Sequence, residues 1–177
     1  KQGKYTAAIN SLNSAWVNPG GLADQYAYWL GEAEFAQGDF ARAAATFTDL
    51  VKKFPASPLR LTAVVEAAAA YERLADWPKM TALLVGTNTF FAQEAALNST
   101  NEMVVRGRLL LARTQLAQEK FPAALATLRF LDGVSMAPAL EWQRLNLVCR
   151  VLAGAGDLDA ALTTTTNLLQ LARSQGA

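Results

Sequence analysis

The sequence contains no histidine and one cysteine, Cys149, among its 177 residues. Without histidine, the chain lacks the commonest general base and the commonest neutral metal ligand in proteins. A single cysteine cannot form an intrachain disulfide or a cysteine-rich zinc site. We therefore expect a protein that is not an enzyme, with no catalytic residue, no metal site and no cofactor.

Long apolar runs and a charge of one sign are also missing. No stretch reaches the roughly 18 apolar residues of a membrane-spanning helix. Lys and Arg number 16 against 15 Asp and Glu, which argues against nucleic acid as a partner recognised by bulk charge. No basic stripe accompanies the four tryptophans, so we expect them to pack inside the protein rather than stack on bases. They are Trp16, Trp29, Trp77 and Trp142.

A repeated pattern is present instead. Aromatic or aliphatic residues follow short turn-like segments such as Gly38-Asp39 and Gly156-Asp157, and we call them the anchor residues. The anchor residues are Tyr5, Phe40, Trp77, Phe121 and Leu158, at spacings of 35, 37, 44 and 37 residues. A period of this length is typical of a helical repeat protein.

Fixed offsets from the anchor residues indicate two helices per unit. Seven residues after each anchor lie Leu12, Phe47, Leu84, Leu128 and Thr165, and nine before it lie the small residues Gly31, Ala68, Ala112 and Cys149. The offsets of 3, 7 and 10 after an anchor keep to one face of a helix, so each anchor is predicted to open a second helix. Asp39, Asp76 and Asp157 are placed to cap those helices.

The residues Leu30-Gly31, Gly38-Asp39-Phe40, Ala43, Phe47 and Pro55 fall at the spacing of the tetratricopeptide repeat, a helix–turn–helix unit. The sequence departs from that family at Glu34, often aromatic there, and at Thr165, usually large and apolar. The resemblance implies an all-α fold, a right-handed α-α superhelix of about four and a half helical hairpins. It predicts one array over residues 1–177, with a half-unit at 1–20, units at about 24–57, 61–94, 105–138 and 142–175, and an insertion at about 86–104.

A narrower resemblance concerns the bacterial cell envelope. The stretch "YWLGEAEFAQGDFARAAATFTDLVKKFPASP" is similar to repeats of the periplasmic accessory protein of the Tol–Pal system and of the outer-membrane β-barrel assembly lipoprotein. It implies a periplasmic or outer-membrane-associated protein. The alternative is a regulatory repeat domain of a larger cytosolic signalling or transcription protein.

In tetratricopeptide arrays the first helices line a groove that binds peptides or partner proteins. By position, the groove residues here are Tyr28, Glu32, Phe35, Val65, Glu72, Leu109, Arg113, Leu116, Asn146 and Arg150. The alternative is that the apolar members pack between units and that the arginines form solvated or internal ion pairs. Tyr28 and Glu32 stand where some members carry a Lys/Asn carboxylate clamp, which disfavours a clamp of that kind.

The insertion offers a second contact. Phe90 and Phe91 form an exposed hook if 86–104 is a binding loop. In the alternative, "FFAQEAAL" is helical and tucks both rings inside.

The leading hypothesis is an interaction scaffold that binds a protein or peptide. Because the chain begins at Lys1 within a structural unit, we expect a fragment of a larger protein. An incomplete first unit would expose an apolar N-terminal end, through which two copies can pair as a homodimer.

Overall fold

The computed structural model describes residues 2–15 and 20–176, and within them every regular element is helical. The ten α-helices of this part are α1 Gln2–Ala15, α2 Ala23–Gln37, α3 Phe40–Lys53, α4 Arg60–Arg73, α5 Trp77–Leu84, α6 Phe90–Leu97, α7 Glu102–Ala117, α8 Phe121–Arg129, α9 Pro138–Gly154 and α10 Leu158–Gly176. A short 3-10 turn, Gly20–Leu22, leads into α2. The all-α class is confirmed.

The helices form two compact units, residues 1–93 and 94–177. In the first unit, helices α1 to α5 each pack against the next along the chain, and in the second α7, α8, α9 and α10 do so. Four helical hairpins follow one another, α2/α3, α4/α5, α7/α8 and α9/α10, whereas the predicted unit bounds stay predictions. Of the predicted half-unit, α1 is described, whereas residues 1 and 16–19 lie outside the described residues. A single array over 1–177 stays a prediction.

The anchor residues mark where second helices begin. Phe40, Trp77, Phe121 and Leu158 are the first residues of α3, α5, α8 and α10. In three of these helices the preceding aspartate accepts a hydrogen bond from a backbone N–H three residues on, at 3.2 Å, as predicted for an N-cap. The sequence therefore fixes these helix starts by local chemistry.

Each hairpin closes with the same left-handed turn, two residues before the anchor. Gly38 and Gly156 occupy it with φ of 92° and 84°, and Ala75 and Glu119 adopt φ of 55° and 57° there. In the first hairpin, the Gly38 N–H donates to the Phe35 carbonyl and the Asp39 N–H to the Glu34 carbonyl. This pair of bonds is a Schellman motif, which ends a helix and reverses the chain.

Within a hairpin, a small residue on the first helix meets a side chain seven residues into the second. A Cβ atom on Gly31 would lie 2.6 Å from the Phe47 ring, so α2 and α3 approach only because Gly31 has no side chain. In the last hairpin the Cys149 Sγ lies 3.1 Å from the Thr165 Oγ1. A bigger residue on one helix is thus matched by a smaller one on the other, which accounts for the departure at Thr165.

Buried polar contacts also join the two helices of a hairpin. The Thr46 hydroxyl of α3 donates to the buried Glu34 carboxylate of α2 at 2.7 Å. In the second unit the Thr127 hydroxyl of α8 donates to the Gln115 side-chain carbonyl of α7 at 2.8 Å. In both pairs the acceptor lies six residues before the anchor residue and the threonine lies six residues after it. Glu34 thus stands in a polar version of a packing contact, which explains its departure from the family pattern.

The described side chains of α1 do not form the apolar N-terminal surface expected from the sequence. Ile9 is buried, and the exposed positions from 4 to 14 are small or polar, such as Lys4, Asn10 and Ser14. Three exposed leucines lie instead on α10, namely Leu158, Leu162 and Leu169.

We expect Gly31→Ala to destabilise the protein by about 1–3 kcal/mol, because the new methyl group overlaps the Phe47 ring. Phe47→Leu alone should also lower the free energy of unfolding, by about 1–3 kcal/mol, because the smaller side chain leaves a cavity. The double variant recreates the Ala68/Leu84 combination of the next hairpin and should lose about 1 kcal/mol less than the sum. Urea denaturation of the four proteins measures this coupling, and strict additivity would contradict it.

We expect Glu34→Gln to change how stability depends on pH. Burial raises the pKa of Glu34 above its ordinary 4.5, so the folded state loses stability as the pH rises and this group ionises. Glutamine still accepts from Thr46, as Gln115 does from Thr127, but carries no charge. The variant should gain about 1 kcal/mol over the parent at pH 7 and little at pH 4, in urea denaturation at both pH values. An equal change in the free energy of unfolding at pH 4 and pH 7 would contradict the role of the Glu34 charge.

Candidate partner-binding surface

The predicted groove residues of α2 form a stripe at positions 28, 32 and 35, and all three are partly buried. The Tyr28 hydroxyl is hydrogen-bonded to the Glu32 carboxylate. The Tyr28 ring lies 5.3 Å from that of Trp29, in an edge-to-face arrangement, and 5.9 Å from that of Phe47. Tyr28 is therefore held by the core on one side and presents its hydroxyl to Glu32 on the other.

Negative charge is concentrated around this phenol. Burial, followed by the charges of Glu32 and of Glu66 on α4, raises the pKa of Tyr28 to about 12. Burial also raises the pKa of Glu32, and its hydrogen bond with Tyr28 opposes that shift. Glu32 therefore bonds the Tyr28 hydroxyl, whereas Glu66 acts on its pKa through charge alone. Glu66 was not among the predicted residues because its closeness to Tyr28 depends on how α2 and α4 pack.

Phe35 lies further along the same stripe and contributes to packing. Its ring meets that of Phe40 edge to face, at 5.0 Å between centroids. The Arg73 guanidinium of α4 lies 4.3 Å above the Phe40 ring. This chain of contacts ties α2 to α3 and α3 to α4. Glu72, the predicted residue next to Arg73, is partly buried.

Two aliphatic members of the predicted groove are core residues. Val65 of α4 and Leu109 of α7 are both buried, so a partner cannot reach their side chains. Leu109 belongs to the apolar cluster of the second unit, and the partly buried Leu116 packs against that cluster. The prediction that Val65 and Leu109 are exposed is wrong. On a first helix, the face turned to the groove lies next to the face that packs on the neighbouring helices, and these two side chains belong to the packed face.

The polar members of the second unit remain at the surface. Arg113 and Arg150 are exposed, on α7 and α9, and Asn146 is partly buried on α9. Arg113 already makes a contact within the structure, whereas an exposed guanidinium such as that of Arg150 is chemically suited to a carboxylate.

The insertion is a helix rather than a loop. α6 occupies positions 90–97 of the predicted 86–104 segment, and α5 has already ended at Leu84. Phe91 is buried and Phe90 is partly buried beneath the Arg60 guanidinium, 3.9 Å from its ring centre. An exposed double-phenylalanine hook is therefore wrong, because the segment forms a helix and turns Phe91 inward.

Exposed aromatic side chains occur at positions expected to pack. Trp29 is 58% exposed and Trp142 is 45% exposed, whereas Trp77 is partly buried and Trp16 lies outside the described residues. Phe130, also exposed, carries the Arg108 guanidinium 4.3 Å from its ring centre. Burial lowers the pKa of Arg108. This contact joins α7 to the end of α8, and neither the charge pattern nor the spacing of aromatic residues predicts it.

Neither a metal site nor a membrane span emerges from the described part of the chain. No three of its His, Cys, Asp or Glu side chains are grouped to hold a metal ion. None of its helices has the length and apolar character that crossing a bilayer requires.

The helical hairpins, their repeated left-handed turns and their small–large contacts define a helical repeat protein. Within that class, residues 1–58, about a third of the chain, match the family described as tetratricopeptide repeat. The matched segment covers α1 to α3 and the turn that follows, and it supports the resemblance found in the sequence. A comparison with curated proteins found no match to the chain.

Proposed function

We propose that this protein is a non-enzymatic interaction scaffold, which binds a peptide or a partner protein on the outward faces of its first helices. Tetratricopeptide repeats generally mediate protein–protein interactions, and the matched segment includes α2, which carries the acidic stripe. Helical repeats present such faces side by side, as extended surfaces for a partner.

The observation that carries the proposal is the cluster of Tyr28, Trp29 and Glu32 on α2. The Glu32 carboxylate beside the Tyr28 hydroxyl is only partly buried, so a cationic side chain of a partner can reach it. The exposed Trp29 ring borders Tyr28 and offers a face for a cation or an apolar side chain. The first unit is therefore suited to a segment that carries lysine or arginine beside apolar residues.

We further propose that the protein works in the bacterial cell envelope. The proposed location rests on the resemblance of residues 28–58 to repeats of bacterial envelope proteins, and this stretch ends in Phe54-Pro55-Ala56-Ser57-Pro58. The turn is a fixed structural feature, because the Ser57 hydroxyl donates to the Asp24 carboxylate at the start of α2 and Phe54 packs against the core. A regulatory role in a larger cytosolic protein is the competing function.

We expect peptides of alternating lysine and leucine to bind more tightly than matched glutamate–leucine or glutamine–leucine peptides. Fluorescence anisotropy of labelled peptides measures the three affinities. Glu32→Lys should weaken binding of the lysine peptide at least about tenfold, because it inverts a charge at the centre of the cluster.

Asp49→Lys is the matched control for that variant. It makes the same charge change at an exposed position of α3, where Asp49 pairs with Lys53. Its affinity for the lysine peptide should stay within about twofold of the parent. Equal binding of all three peptides, or an equal loss in both variants, would contradict recognition by this face.

We expect the native protein in its bacterial host to be released with the periplasm, or to sediment with outer membranes, when cells are fractionated. An antibody against the purified chain detects it in each fraction. Recovery with the cytosol would contradict the envelope location and favour the regulatory role, without bearing on peptide binding.

A further inference from the structure

α10 carries an exposed apolar stripe that the binding faces do not use. Leu158, Leu162 and Leu169 are 68%, 70% and 54% exposed. Their spacings of four and seven residues place them on one face of the helix. A contiguous group of exposed leucines marks an interaction surface more often than an ordinary surface.

Earlier hairpins show what covers this face elsewhere in the molecule. Phe40 opens α3 and lies under the Arg73 guanidinium of the following first helix, α4. Phe121 opens α8, and Gly154 of α9 packs so closely on it that an added Cβ would lie 2.4 Å from its ring. In both cases a helix covers the anchor residue. Leu158 is the corresponding residue of α10, so its stripe continues an interface that is already built within each unit.

The stripe is self-complementary when two copies run antiparallel. With Arg173 included, its positions are 158, 162, 169 and 173, and the spacings of 4, 7 and 4 are the same in both directions. A two-fold axis between positions 165 and 166 places Leu162 opposite Leu169 of the second copy. It also places Leu158 opposite Arg173 of the second copy, whose aliphatic stem can pack on the leucine while its guanidinium stays at the rim.

Charge supports the same arrangement. Asp159 and Arg173 lie at opposite ends of α10, and within the described residues neither side chain has an ion-pair partner. Antiparallel pairing brings Asp159 beside Arg173 of the second copy. Because a two-fold interface contains every contact twice, two such ion pairs would form at its rims.

We propose that two copies of this chain associate through antiparallel α10 helices, with the leucine stripe at the centre and Asp159–Arg173 pairs at both ends. The 19 residues of α10 span about 28 Å. One helix pair buries less than the roughly 1,600 Å² of a standard interface, so the dimer is a weak one that forms at micromolar or higher concentration.

Sedimentation velocity of the full chain, from about 5 to about 500 µM, tests the proposal. The sedimentation coefficient should rise with concentration towards that of a dimer. Leu162→Glu should weaken the dimer at least about tenfold, because it places a charge opposite Leu169 of the second copy. The control is Leu97→Glu, which changes a leucine that is 82% exposed on α6 and should leave the association constant unchanged. Circular dichroism checks that each variant is folded.

Charge exchange tests the antiparallel register and does not touch the leucines. Asp159→Arg and Arg173→Asp should each weaken the dimer, by about threefold to tenfold at low salt. The double variant should restore it, since each exchanged pair is again of opposite sign. A chain that stays monomeric at the highest concentration would overturn the proposal. A dimer that Leu162→Glu does not weaken would also overturn it, and that result is the one expected for pairing through the N-terminal end. The same holds if the double variant does not regain the association constant of the parent.

Discussion

The close approach of the two helices in a hairpin is the contact on which the rest of this structure depends. Gly31 lets the Phe47 ring lie against the backbone of α2, in the same hairpin that the turn at Gly38 and the Glu34–Thr46 hydrogen bond hold together. At the other end of the series, Cys149 faces Thr165. The small residue faces a large one at Gly31 and Phe47, whereas two residues of middle size face each other at Cys149 and Thr165. Close packing explains this difference, because the space between two helices of fixed separation holds a nearly constant side-chain volume.

This packing also decides which side chains remain for function. Val65 and Leu109 lie on first helices, yet they are buried with the core, whereas Glu32 and Arg150 keep part or all of their surface. The predicted groove residues that are not buried are Tyr28, Glu32, Phe35 and Glu72 on the first unit and Arg113, Leu116, Asn146 and Arg150 on the second. The two units therefore offer partners different chemistry, although they are built from the same hairpin.

α10 shows the opposite consequence of the same repeat. Its outer face has the composition of a surface that another helix covers in earlier hairpins, and Leu158 and Leu162 are exposed for that reason. In the proposed dimer, the α10 helix of a second copy covers this face. Exposed aromatic residues such as Trp29 and Trp142 likewise stand outside the core that the repeat builds.

The sequence alone determined the helix starts at Phe40, Trp77, Phe121 and Leu158, the aspartate caps and the small positions, because each depends on residues close together in the chain. Tertiary structure decided the rest. The burial of Val65 and Leu109, the inward turn of Phe91 and the approach of Glu66 to Tyr28 depend on how neighbouring helices meet. A periodic pattern places a residue on a face, but only the packed helices decide whether that face meets a neighbour or solvent.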